Sequence, residues 1–156
     1  MARSLTVLTL GTFDLLHAGH IALLRRCRDL AGEGQVIVGL NTDDFIGRYR
    51  GKPPVITYAD REACLSALRY VDAVLPNDQT DGSALDCIRA ADPDIIAIGW
   101  DWRTRDYLGQ LGVTRADLTG IRIVYLPYTP GEAGPSSEIK RRIAGTTAFE
   151  PVGETR

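Results

Sequence analysis

Apolar residues along the chain gather in short, nearly unbroken runs, separated by stretches in which they recur at helical spacing. The runs at residues 5–10, 36–40, 73–75, 94–98 and 121–126 are rich in Val, Ile and Leu and read as five strands. Between them the spacing predicts helices over 17–30, 59–70, 83–91 and 105–111, with a last one over 136–144. Such alternation points to an α/β fold, a doubly wound five-stranded parallel sheet of order 3-2-1-4-5 in a single domain. That order sets strands one and four side by side, and ligands of such sheets bind outside the carboxyl ends of the strands at this switch point. The loops at 11–16, 99–103 and 127–135 therefore converge on one place.

Composition narrows the picture. At 156 residues one domain is expected, able to bury roughly two thirds of the surface its unfolded chain exposes. Residues 1–146 are expected to form it, with 147–156 as a flexible tail or subunit-contact arm. Lys and Arg number 18 against 20 Asp and Glu, for a net charge of −2 with the signs interspersed. No broad basic field is present to hold nucleic acid, so any anion site must be local. The three cysteines, Cys27, Cys64 and Cys87, form no C-x-x-C pair and imply neither a disulfide framework nor a zinc site. A reducing, cytoplasmic setting is expected. No stretch reaches membrane-spanning length, and the opening apolar run is too short for a signal peptide.

The most informative stretch is residues 11–20. Both histidines of the chain, His17 and His20, lie in it, three residues apart where the first helix begins. That spacing sets both imidazoles on one face, next to the free N–H groups and positive dipole end of a helix. Such a face suits a polyphosphate. Gly11 is expected to give the preceding turn conformational freedom, and Gly19 to leave room for a nucleotide beside the backbone.

The whole ten-residue string resembles the G-T-F-D-x-x-H-x-G-H signature of the cytidylyltransferase family. Gly11, Thr12, Phe13, Asp14, His17, Gly19 and His20 fill every fixed position. The resemblance runs from residue 7 to residue 143 and is nearest to the small glycerol-3-phosphate cytidylyltransferase-like members. It implies a Rossmann-like sheet of the HUP-type nucleotidyltransferases, His17 and His20 as catalytic donors, and a nucleotide cradle formed with Gly11, Thr12, Phe13, Asp14 and Gly19.

Further positions follow from the same resemblance. The basic loop at 48–54 is either simply solvated or a ligand loop. In the family a lysine here meets the nucleotide phosphates, a role that falls to Lys52, and a basic residue faces the substrate, which is Arg50. Family arginines match Arg61 and Arg69; Arg61 at a helix start is expected to point to the ligand, whereas Arg69 either does so or is structural. The sequence Gly99-Trp100-Asp101-Trp102 departs from the family's G-D-D-W by carrying Trp100 in place of the first acid. Asp101 is expected to hold a ribose hydroxyl, a substrate hydroxyl or a magnesium water, and the tryptophans either flank a base or pack. Thr129, Ser136 and Ser137 match the final R-T-x-G-I-S-T-T-x-I-K, which ends on Lys140. There Tyr128 replaces an arginine, and the loop is two residues longer.

The resemblance implies transfer of CMP from CTP to a small phosphorylated or phosphonate acceptor, glycerol 3-phosphate first, with release of pyrophosphate. It also implies magnesium (Mg2+) bound with the triphosphate, with Asp14 or Asp101 as the side chain that steadies it, and a homodimer. Residues 77–82 carry no basic side chain where those members have a substrate-facing lysine. An adenylyltransferase that uses ATP on a sugar phosphate, and a non-catalytic nucleotide-binding module, therefore remain alternatives.

Overall fold

The structure, a computed structural model, describes residues 4–127 and 136–145. In chain order the elements are β1 (Thr6–Gly11), α1 (Ala18–Ala31), β2 (Gln35–Asn41), α2 (Asp43–Arg50), α3 (Tyr58–Ser66), β3 (Ala73–Asn77), α4 (Leu85–Ala91), β4 (Ile95–Gly99), a 3-10 turn (Trp100–Thr104), α5 (Tyr107–Leu111), β5 (Arg122–Leu126) and α6 (Ser136–Ala144). All strands are parallel, in the order β3-β2-β1-β4-β5. The order expected from the sequence is thus the observed one.

The central strands carry unbroken apolar runs because both of their faces are covered. Leu8, Leu10, Ile37, Ile96 and Ile98 pack beneath α4 and α5 on one face. Val7, Val36, Ile95 and Ala97 meet Cys27 and Ala31 of α1 on the other, where Leu65 of α3 joins Val38 and Leu40. Burial pushes the Cys27 thiol up to about 12 and that of Cys87 to about 11, so both are inert packing residues. Among the described residues no helix is long and apolar enough to cross a membrane.

Two elements differ from expectation. The residues following β2 form α2, where a turn and basic loop were expected. Thr42 caps this helix by accepting the Phe45 N–H, Asp43 and Asp44 sit at its positive end, Arg48 and Arg50 at its negative end, and Gly51 closes it at φ 72°. The third helix ends at Ser66 and not at 70. Bonds from Leu68 N to Leu65 O and Val71 N to Leu68 O tighten the chain into successive turns that lead to β3. The stretch 147–156, expected as a tail, lies outside the described residues.

Candidate active site

The loop between β1 and α1 is held in an unusual conformation. Gly11 itself ends the strand, and its missing side chain is used by the Phe13 ring, 3.0 Å from where a Cβ would stand. The left-handed backbone falls instead on Phe13 (φ 50°) and Leu15 (φ 53°), each strained by about 1 kcal/mol or more. The freedom expected of Gly11 is therefore not its role. Asp14, between the two strained residues, is 4% exposed and fastens the loop: its carboxylate accepts the Val55 N–H and the Ile56 N–H, both at 2.9 Å. Lys140 of α6 stands 2.7 Å from the same carboxylate, and Ser136 Oγ donates to the Asp14 carbonyl at 2.5 Å. Burial alone would raise the Asp14 pKa, but the Lys140 ammonium and the two backbone N–H groups outweigh it and leave the pKa below the usual value.

His17 is the N-cap of α1 and not its first residue. Its Nδ1 accepts the Gly19 N–H at 3.1 Å, while the His17 N–H donates to His20 Nδ1 at 3.3 Å, a reciprocal capping box built from two imidazoles. With both Nδ1 atoms acting as acceptors, each neutral ring carries its proton on Nε2. The rings stack with centroids 3.8 Å apart, and Phe13 lies 5.1 Å from His20. Burial lowers the pKa of both. That of His20 falls to about 4, with His17 adding repulsion and Asp14 opposing it. At neutral pH the pair therefore offers two uncharged Nε2–H donors at the start of a helix.

Arg61 does not reach toward a ligand. It is 2% exposed, and its guanidinium donates to the carbonyls of Ile56 (2.9 Å), Thr12 (2.7 Å) and Asn41 (2.9 Å) and pairs with Asp43 at 2.7 Å. The start of α3 is at the carboxyl edge as expected, but the long side chain turns back beneath the loops and ties the ends of β1 and β2 to α2 and α3. Beside it Asn41 Nδ2 donates to Thr12 Oγ1 (3.2 Å) and Asn77 Nδ2 to Asn41 Oδ1 (2.8 Å), a polar ladder across the ends of three strands. Sequence reasoning missed Asn41 and Asn77 as site-forming residues. Their common signal was a strand-ending asparagine on neighbouring strands.

A family model described as Cytidylyltransferase-like matches residues 8–142. The chain belongs to this family. A glycerol-3-phosphate cytidylyltransferase of Staphylococcus aureus is 34% identical over 143 residues, covering 91% of this chain and 97% of that one. An FAD synthase of Pyrococcus horikoshii is 35% identical over 141 residues, 89% of this chain and 93% of that one. Among solved structures, the lipopolysaccharide core biosynthesis protein from Thermoplasma volcanium GSS1 matches with TM-score 0.59 at 27% identity, covering 79% of this chain and 97% of that one.

Within this cytidylyltransferase-like fold the remaining expected residues divide by position. Arg50 ends α2 and Lys52 follows it, both exposed, on a segment whose far end is fastened to Asp14 through Val55 and Ile56. Asp101 is exposed in the 3-10 turn after β4. Arg103 stacks on Trp100, 4.2 Å from its centroid, while Trp102 packs against Tyr107. Arg69, open by sequence between a ligand role and a structural one, stands away from the histidines. It follows the end of α3 and leans on Tyr70, just before Asp72 bonds to Val36 at the start of β2, so it lies at the amino edge, opposite the histidines. Ser136 directs its proton to Asp14, Ser137 is exposed, Gly19 gives its N–H to His17, and Thr129 and Tyr128 lie outside the described residues.

A resident magnesium does not fit these residues. Both Asp14 oxygens are taken by backbone N–H groups and one also by Lys140, and among the described residues no group of three or more His, Cys, Asp or Glu could hold a metal ion.

Proposed function

We propose that this chain is a nucleotidyltransferase. A phosphate or phosphonate oxygen of a small acceptor attacks the α-phosphorus of CTP in line, the bond to the bridging oxygen of the β-phosphate breaks, and pyrophosphate leaves. The supporting observation is the capped histidine pair. The attacking oxygen is already ionised and needs no general base, so the rate rests on positioning and on stabilising charge at the phosphorus. His20, with its pKa near 4, stays neutral and serves as a hydrogen-bond donor and not as an acid. His17 and His20 would direct their Nε2–H groups to the α- and β-phosphate oxygens, where the pentavalent state concentrates charge. Lys52, carried on the exposed segment after α2, would approach the outer phosphates, and Asp101 a hydroxyl of the nucleotide or acceptor. Magnesium would enter with the triphosphate as part of the substrate.

CTP with glycerol 3-phosphate is the first pairing, because relatives of that name from Staphylococcus aureus and Bacillus subtilis match almost the whole chain. The FAD synthases that match at comparable identity favour a second reading, adenylyl transfer from ATP. Pyrophosphate release with each nucleotide, against phosphorylated polyols, sugars and phosphonates, tests both. Release that depends on one acceptor is expected. Binding of a nucleotide without release for any acceptor would reduce the protein to a binding module.

A further inference from the structure

Relatives' names put glycerol 3-phosphate first as acceptor, yet residues 77–82, the loop after β3, carry no basic side chain in this chain. A cation reaches that loop from another element. Arg48 of α2 donates to the Asp78 carbonyl, with the Asp78 carboxylate 3.7 Å away, and the same carboxylate accepts the Thr42 hydroxyl. Beside Arg48 lies an open cleft of about 330 Å3, walled by Phe45, Arg48 and Tyr49 of α2, Gln79 after β3 and Gln110 of α5. We propose that this cleft seats the hydroxylated body of a phosphorylated sugar or sugar alcohol of about five or six carbons, and that Arg48 is the specificity residue that holds it.

This inference rests on the nucleotidyl-transfer reading and concerns its acceptor alone. Position comes first. The cleft opens where α2 and the loop after β3 leave the carboxyl edge: the Thr42 N–H donates to the Asn77 carbonyl, and the Asn77–Asn41–Thr12 ladder runs from there to the signature loop. In-line attack brings the acceptor from the side opposite the departing pyrophosphate. With the nucleotide at the β1–β4 switch point, that side lies over β2 and β3. Size comes next. At about 30 Å3 per non-hydrogen atom, as in liquid water, the cleft holds on the order of ten such atoms. A pentitol fills it with its phosphate left outside, against the histidines, whereas a glycerol unit fills about half. The lining suits hydroxyls. Arg48 has five N–H donors, of which Asp78 engages only part, and the carboxamides of Gln79 and Gln110 both donate and accept. Asp78 also offsets the guanidinium charge, which favours hydroxyls over a second phosphate. Phe45 and Tyr49 stack with centroids 6.0 Å apart and give the C–H face of a carbon chain an apolar wall. The walls are fixed in advance. A Cβ on Gly112 would fall 1.9 Å from the Gly82 carbonyl oxygen, so a glycine there lets the end of α5 press against the loop, and Gln79 is held in the left-handed region at φ 47°.

The alternative is a solvated tie between α2 and the loop after β3. Steady-state pyrophosphate release by the full chain, with CTP or ATP and with glycerol 3-phosphate, ribitol 5-phosphate, ribose 5-phosphate and glucose 1-phosphate as acceptors, separates the two. The best of the larger acceptors should exceed glycerol 3-phosphate in kcat/KM by at least about 10-fold, the scale of one charged hydrogen bond gained. Arg48→Gln should raise the KM for that acceptor about 10-fold, with kcat and the nucleotide KM within about 2-fold. Glycerol 3-phosphate matching every larger acceptor, no change in acceptor KM, or a loss spread equally over acceptor and nucleotide would overturn the proposal. Should Arg48→Gln fail to fold, phenylglyoxal modification of the wild-type chain, mapped by mass spectrometry, decides. The preferred acceptor together with the matching nucleoside monophosphate should protect Arg48, and the monophosphate alone should not. Absence of that difference overturns the proposal. Release confined to glycerol 3-phosphate would overturn only the assignment of the cleft, whereas no release with any acceptor would overturn the nucleotidyltransferase reading together with it.

Discussion

The imidazoles of His17 and His20 are stacked 3.8 Å apart, and each Nδ1 receives a backbone N–H of the other's turn. Helix capping uses Nδ1 of both rings and leaves Nε2–H of each for the phosphate contacts proposed above. This separation allows one function to be removed without the other. Asn is a good N-cap but lacks the outward Nε2–H. His17→Asn is expected to keep the melting temperature within a few degrees and to lower turnover by at least about 100-fold, the size of a lost charge-stabilising donor. Turnover unchanged in a folded variant would remove His17 from the chemistry.

The buried pair also makes stability depend on pH. His20 has a folded pKa near 4 against an ordinary 6.5, so below pH 6.5 the unfolded chain binds the extra proton. Stability is fully present above pH 6.5 and should fall by about 2–3 kcal/mol as pH drops toward 4. The lowered Asp14 pKa acts in a separate window, its contribution being present above about pH 3.8 and lost as pH falls below. Urea titrations across pH 4–7 should show the decline in the wild-type chain and a flatter profile in His20→Gln. Identical profiles would contradict the burial argument.

Arg61 and Arg69 make opposite predictions. Arg61→Ala leaves the carbonyls of Thr12, Asn41 and Ile56 short of a donor and Asp43 without its partner, at a cost of about 3–5 kcal/mol. Denaturant unfolding should register most of that loss, or the variant should fail to accumulate in soluble form. Arg69→Ala, at the amino edge, should alter kcat and KM by less than about 2-fold, as expected for a surface substitution remote from the site. A stable Arg61→Ala with only KM raised would restore it as a substrate ligand.

The sheet was legible because a strand buried on both faces must be apolar throughout, and because right-handed crossovers leave few orders for five parallel strands. The histidines were legible because the capping positions of a helix are local in sequence. Side-chain direction was not. That Arg61 begins a helix at the site edge fixes where its Cα lies, while the enclosed carbonyls that draw its guanidinium inward belong to β1, β2 and the loop before α3. The two roles left open for Arg69 could not be separated because its neighbours, Tyr70 and the turn leading into β3, are tertiary details that helical spacing does not report. The Asp14–Lys140 pair joins the first loop to the last helix, and no periodicity reports a contact between such distant segments. The short α2 was hidden by its charges, although Thr42, the paired acids and Gly51 mark both of its ends.

The proposed reaction is attack at the α-phosphorus. Phosphorus NMR of the chain with magnesium, CTP and glycerol 3-phosphate tests it most directly, repeated with ATP and with sugar phosphates. Coupled diphosphate-diester resonances should grow together with free pyrophosphate in equal amounts, and His17→Asn should suppress both. Release of orthophosphate without a diphosphate diester, or nucleotides unchanged across every acceptor, would contradict nucleotidyl transfer.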